Sequence, residues 1–369
     1  MSTYLLSPER TIVGEEAWQA AIPVIERLGR RALVLGGAAG LAAADSVLAT
    51  LRRQSRELIV KRFVGECTDT AISVAADAAA ACDLVIGAGG GKAIDTAKAA
   101  AALRGIPCVT LPTSPATCAA YTPLSIVHTA TGEYVESRRL SRPVAVLVVD
   151  PTLMLGAPTR LLAAGCVDAL ARAWDTFLAA RIAIPTHAAQ ISSAVCAAYW
   201  NDVLWPRAAQ AIADQSAGLL TDDLVRCTEA CIVGAGLAGE TGARFFGRSF
   251  SHATGYALAE FVDCAHRVLH GEAVGLGILL QCVLDPDTGI SLDEMGAYFE
   301  QLGAPTRFAD LGLDDIAGEA GRRLAEATGR LLDHERAIPF SVTPEAVHKG
   351  MCAVESQRGA GAWQPSPSP

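Results

Sequence analysis

The sequence predicts a parallel α/β domain followed by an all-helical one, and three observations predict it. The first is length: 369 residues exceed what one core organises, and about 150 residues per domain gives two. The second is composition, 51% hydrophobic but only 5% aromatic, which calls for a core of Ala, Leu and Val in helices and buried strands. The third is a change of pattern near residue 155, where short apolar runs give way to continuous helical periodicity. Domains of 1–157 and 158–361 are expected, followed by a disordered tail, "AWQPSPSP", at 362–369.

In the first half, "RALVLGG" (31–37), "RELIVKRF" (56–63), "CDLVIGAGGG" (82–91), "IPCVTLPT" (106–113) and "VAVLVVD" (144–150) read as strands. They are β-branched, bounded by Gly, Pro or Asp, and too short for helices. Ala-rich stretches such as "GLAAADSVLATLRRQ" and "DTAISVAADAAAA" lie between them and read as helices, so the strands form a parallel sheet covered by helices. Past "GAPTRLLAAG", helical patterns run from about 159 to 282, then through "SLDEMGAYFEQLG" and "GEAGRRLAEATGRLL".

Charge and cysteine usage exclude several classes of function. Thirty basic against 39 acidic residues give a net charge of -9, which argues against nucleic-acid binding. No apolar run reaches the ~18 residues of a membrane span, and "MSTYLLSPER" lacks the features of a signal peptide. A cytoplasmic chain is expected. The eleven cysteines are scattered without a C-x-x-C pair and read as reduced, small apolar residues; Cys227 and Cys231, four apart, suit one helix face.

"LVIGAGGGKAIDTAKAAA" (84–101) is a buried strand, a glycine turn and a helix. Gly89, Gly90 and Gly91 remove side chains where backbone N–H groups would approach a pyrophosphate at the helix N-terminus. Neither G-x-G-x-x-G nor the P-loop pattern is present, but three glycines followed by Lys92 and Asp95 exceed what a tight turn requires. A second cluster stands at residues 252 to 270, where His252, His266 and His270 are three of the chain's seven histidines. Alone they read either as a metal site or as polar residues on a helix pair.

"GGGKAIDTAKAAA", followed by "LPTSPATCAAYTPLSIVHTATGEY", resembles the iron-containing alcohol dehydrogenase superfamily. The likeness is greatest to the glycerol dehydrogenase branch and, within it, to hydroxycarboxylate dehydrogenases. It extends through "LLAAGCVDALARAWD", the histidine segment and "PFSVTPEAVHKGMCAVE". It implies a dehydroquinate synthase-like fold: an α/β nucleotide-binding domain, an all-α metal domain, and an active site in the cleft between them. NAD(P)(H), one divalent metal and a small-molecule substrate are implied, and a homo-oligomer is expected.

The family's metal ligands match Asp168 in "GCVDAL", His252 in "FSHATG" and His270 in "LHGEAV". One carboxylate and two imidazoles leave a position open for an alcohol oxygen, as catalysis requires. His266 is then a cleft residue. Zn2+ is favoured over Fe2+, because Arg172 stands where some members carry a third histidine. Gly255 and Tyr256 replace a further histidine found in relatives, which alters the expected proton relay.

Two further departures bear on specificity. Cys118 stands where glycerol dehydrogenases carry an aspartate beside the polyol hydroxyls, and the hydroxycarboxylate branch shares "ATCAA". Loss of that charge favours a substrate carboxylate over glycerol. Gly37 stands where NAD-preferring relatives carry an acid, so nothing there excludes NADP(H). The resemblance adds Thr113, Thr117, Thr122, Leu124 and His128 as cofactor contacts. A non-redox cyclase or lyase of the dehydroquinate or deoxyinosose synthase type, recycling bound NAD, is the alternative. Asp168 in place of a glutamate ligand and the sparse basic residues argue against it. A non-catalytic nucleotide binder would not need Asp168, His252 and His270 together.

Overall fold

The computed structural model describes residues 7–54, 57–182, 187–246, 250–260, 268–332 and 338–357. The first half alternates β1 (Thr11–Val13), α1 (Ala17–Leu28), β2 (Arg31–Gly36), α2 (Ala38–Ala43), α3 (Asp45–Arg53) and β3 (Glu57–Arg62). It continues through α4 (Asp69–Ala78), β4 (Leu84–Gly89), α5 (Gly91–Arg104) and β5 (Cys108–Pro112). A hairpin of β6 (Leu124–His128) and β7 (Tyr134–Arg139) precedes β8 (Val146–Val149). The five expected strands are β2, β3, β4, β5 and β8. The short β1 and the antiparallel hairpin were not legible in the sequence.

The main sheet has the order β1-β8-β5-β4-β2-β3, with every pairing parallel. Alternation along the strands feeds two cores. Ala32, Val34, Leu84 and Ile86 face α1 and α3, whereas Leu33, Leu35 and Val85 face Ala75, Ala76, Ala97 and Ala101 of α4 and α5. Caps fix the helix starts. Thr68 accepts a hydrogen bond from Ala71 N at 3.0 Å at the head of α4.

Beyond Val149 only helices occur among the described residues. They are α6 (Thr159–Ile182), α7 (His187–Tyr199), α8 (Trp205–Ser216), α9 (Asp222–Glu229), α10 (Ala235–Phe246) and α11 (Phe250–Leu258). After them come α12 (His270–Leu284), α13 (Leu292–Leu302), α14 (Glu319–Leu331) and α15 (Pro344–Gln357). The helical core is continuous with the sheet, since Leu147 and Val149 pack into the same cluster as Leu162, Leu170, Phe250 and Leu279. No helix among the described residues is long and apolar enough to cross a membrane. The tail at 362–369 lies outside the described residues.

Two π-helical turns, Trp200–Leu204 and Ala230–Gly234, interrupt the helical run. The second begins just after α9, which carries Cys227, and itself contains Cys231, so these residues do not share an unbroken α-helical face. Both are nevertheless buried, and Cys231 Sγ lies 3.8 Å from Cys166 Sγ. The ten described cysteines are all free thiols.

Candidate active site

α6 is the longest helix among the described residues and carries the first site residue, Asp168, in its buried middle. His252 comes from α11 and His270 is the first residue of α12. The structure brings the three together: His252 Nε2 and His270 Nε2 lie 3.7 and 3.6 Å from the same Asp168 oxygen. Their donor atoms all fall within 4.8 Å of one another, in the one such group of at least three candidate ligands among the described residues. His266 lies outside the described residues.

Two contacts fix this geometry, and the sequence reading missed both. Asp175, two turns after Asp168 on the same helix, accepts a hydrogen bond from His252 Nδ1 at 2.5 Å and from Ser251 N at 3.2 Å. With Nδ1 engaged by Asp175, Nε2 is the ring nitrogen turned toward Asp168 and left to act as a ligand. Arg160 and Glu272 form a buried ion pair, with Nη2 2.7 Å from the carboxylate, that ties the start of α6 to the start of α12. Gly271 permits this approach, because a Cβ there would lie 1.9 Å from the Ala164 carbonyl oxygen. Burial pushes His270 down to about 4, so it stands neutral and ready to donate a lone pair.

This donor set fits a divalent ion. It comprises one carboxylate and two imidazoles, one of them oriented by an outer carboxylate. Tyr256 lines the same space, its ring centroid 5.5 Å from that of His270, and Tyr134 of β7 packs on it in a tilted arrangement at 4.5 Å.

The glycine turn occupies the C-terminal edge of the sheet. After β3 the chain returns to the opposite side of β2, so the winding direction reverses between β2 and β4. At such a reversal the flanking loops diverge and leave a crevice for a ligand. Gly37 follows β2, and Gly89, Gly90 and Gly91 end β4 and begin α5, with Gly89 at φ 142°. Lys92 forms an ion pair with Glu66 at the rim. Asp95 is turned inward, 2.8 Å from Lys98 Nζ and accepting from Ile126 N at 3.0 Å, so its carboxylate positions β6 rather than facing the crevice.

Residues 113–124 bridge the glycine turn and the metal-ligand cluster. Thr117 lies against Gly91, and the Pro115 carbonyl packs into the notch left by Gly165 of α6. Lys98, buried in the middle of α5, holds this segment by donating to the carbonyls of Ala119 (2.6 Å), Thr122 (3.0 Å) and Leu124. Burial and the charge of Asp168 push the Cys118 thiol up to about 12, so it is protonated and beside the metal-ligand cluster. Thr113 ends this bridge at Gly89, donating its N–H to the glycine carbonyl at 3.2 Å. His128, at the end of β6, is held neutral by burial and lies close enough to influence His270.

Gly37 is extended at φ -67° and ψ 167°, and a Cβ built there meets no atom within 4 Å. β3 places Lys61 and Arg62, both exposed, in register with Leu35 and Gly36 beside it. "IVKRF" carries these basic residues in the sequence, and only strand pairing shows their proximity to Gly37.

The sequence pattern of the family described as iron-containing alcohol dehydrogenase matches residues 8–151. A glycerol dehydrogenase of Citrobacter freundii is 32% identical over 320 residues, covering 85% of this chain and 86% of that protein. Hydroxycarboxylate dehydrogenase A of Escherichia coli is 32% identical over 299 residues, covering 80% and 81%. The crystal structure of a probable glycerol dehydrogenase from Sinorhizobium meliloti superposes with a TM-score of 0.82 at 29% identity, covering 96% of this chain and 99% of that one. The chain belongs to the iron-containing alcohol dehydrogenase family, among its glycerol dehydrogenase-like members.

Proposed function

We propose that the protein is a metal-dependent, NAD(P)-linked oxidoreductase that interconverts a small secondary alcohol or 2-hydroxy acid and its carbonyl. The observation that carries this reading is the convergence of Asp168, His252 and His270 next to the segment that leads to the glycine turn. A divalent ion held by those three residues supplies Lewis acidity, and a nicotinamide cofactor the hydride. Asp175 orients His252, while the Arg160–Glu272 pair sets the distance between α6 and α12. Zinc is the proposed ion: three donors suit it, and the guanidinium of Arg172 cannot serve as a fourth ligand. Gly89, Gly90, Gly91, Thr113, Thr117, Thr122, Leu124 and His128 are proposed to contact the cofactor, with Lys92 at the rim. The deciding experiment supplies 2-oxo acids, polyols and aldehydes to the metal-loaded protein with NADH and with NADPH. Net nicotinamide turnover is expected, and its absence with every carbonyl contradicts the reading.

Cofactor choice is proposed to rest on Gly37 with Lys61 and Arg62. Gly37→Asp adds a carboxylate into open space, where it would repel a 2′-phosphate by on the order of 1–3 kcal/mol. The NADPH to NADH ratio of kcat/KM is expected to fall about tenfold or more. An unchanged ratio would place the discrimination elsewhere.

Cys118 is proposed to favour acids over polyols. Cys118→Asp restores an acceptor for hydroxyls and repels a substrate carboxylate, effects of roughly 1–3 kcal/mol each in a partly closed cleft. The kcat/KM ratio of a 2-oxo acid to glycerol is expected to fall at least about tenfold. Equal loss of both activities would show that Cys118 does not select between them.

A further inference from the structure

We propose that Arg172 anchors a substrate carboxylate, which makes short 2-oxo acids the preferred carbonyl substrates of this site. The proposal rests on the oxidoreductase reading for the position of the reacting carbonyl, beside Asp168, His252 and His270.

Asp168, Arg172 and Asp175 sit at helical spacing on α6 and share the face turned toward the metal-ligand cluster. A guanidinium between two carboxylates would ordinarily be their counter-ion. Here neither carboxylate takes it. Asp175 is engaged by His252 Nδ1 and Ser251 N, and Asp168 faces the two imidazoles. The Nε atom of Arg172 is buried with no hydrogen-bond partner, and no ion pair or side-chain hydrogen bond engages its terminal nitrogens among the described residues. Arg172 as a whole is half-buried, and its terminal nitrogens are not among the buried, unpartnered atoms. Gly239 of α10 packs beside the guanidinium, where a Cβ would stand 3.9 Å from Nε.

Charge balance points the same way. Burial opposes the charge on Arg172, but the nearby carboxylates of Asp168 and Asp175 sustain it. A divalent ion cancels the two aspartates, and the protonated Cys118 adds nothing. With the buried Glu240 offset by its ion pair to Arg139, the site then keeps one positive charge, which one anion neutralises. Arginine presents paired donors in the geometry a carboxylate accepts, whereas a polyol offers it no such partner. Asp168 and Arg172 stand one helical turn apart on α6, so the adjacent carbonyl and carboxylate of one short 2-oxo acid can face both at once.

The test is calorimetric binding of oxamate and of oxamide, its neutral analogue of the same shape, to metal-loaded protein. Wild type is expected to bind oxamate at least about tenfold more tightly than oxamide. Arg172→Gln is expected to lose most of that preference, and its kcat/KM ratio for pyruvate over hydroxyacetone is expected to fall by about tenfold or more. Arg172→Lys keeps a point charge but not the paired donors, so oxamate should weaken several-fold with little change for oxamide. That variant and the wild-type comparison decide the matter if Arg172→Gln does not fold. Equal wild-type affinity for the two probes, or undiminished oxamate affinity in either folded variant, overturns the proposal. Reduction of hydroxyacetone with oxamate affinity independent of Arg172 would remove the anchor and leave the oxidoreductase reading. Arg172-dependent oxamate binding without nicotinamide turnover would do the reverse.

Discussion

Asp168→Ala, His252→Ala and His270→Ala are each expected to abolish stoichiometric metal binding and to lower kcat at least about a thousandfold. The magnitude follows from the several kcal/mol that Lewis-acid stabilisation contributes, at about 1.4 kcal/mol per tenfold in rate. Each variant leaves two of the three donors that now lie within 4.8 Å of one another. Asp175→Asn keeps all three but weakens the acceptor at His252 Nδ1, and about 10- to 100-fold lower metal affinity is expected. Elemental analysis after dialysis checks both expectations. Full metal retention in His270→Ala would exclude it as a ligand.

Lys98→Met carries the largest expected effect on stability. The residue is 2% exposed, and its ammonium lies 2.8 Å from the buried Asp95 and satisfies three carbonyls of residues 119–124. Removing one partner of a buried pair costs about 3–5 kcal/mol, because the remaining charge stays without compensation. A loss of that size is expected in chemical denaturation, and Asp95→Asn in the same chain should recover part of it. A loss below about 1 kcal/mol would show that water replaces Lys98 without cost. Since the held segment carries Cys118, Thr122 and Leu124, the variant should also raise KM.

The strands and the glycine turn were legible because short β-branched runs and three consecutive glycines leave few alternative conformations. Asp168, His252 and His270 were legible as a set only through the family resemblance; periodicity alone left the histidines ambiguous between ligands and surface residues. Asp175 could have been found, since it falls on the same face of the same predicted helix two turns from Asp168. Arg160 and Glu272 could not, because 112 residues separate them and neither has a local signature. Asp95 looked like part of the phosphate turn by its spacing, yet a buried Lys98 one turn later draws its carboxylate inward. The hairpin from Leu124 to Arg139 was missed because its strands are short and largely polar on one side.

The central claim is that these three residues hold the ion on which nicotinamide-linked redox chemistry depends. The most direct measurement follows reduced-nicotinamide absorbance during single turnover of one protein preparation, chelated and then reloaded with zinc, in the presence of a 2-oxo acid. The account predicts no oxidation of the cofactor by the chelated protein. Reloading should restore oxidation, with one equivalent of hydroxy acid formed per cofactor consumed. Equal turnover with and without the ion, or no net oxidation of either nicotinamide after reloading, would contradict it.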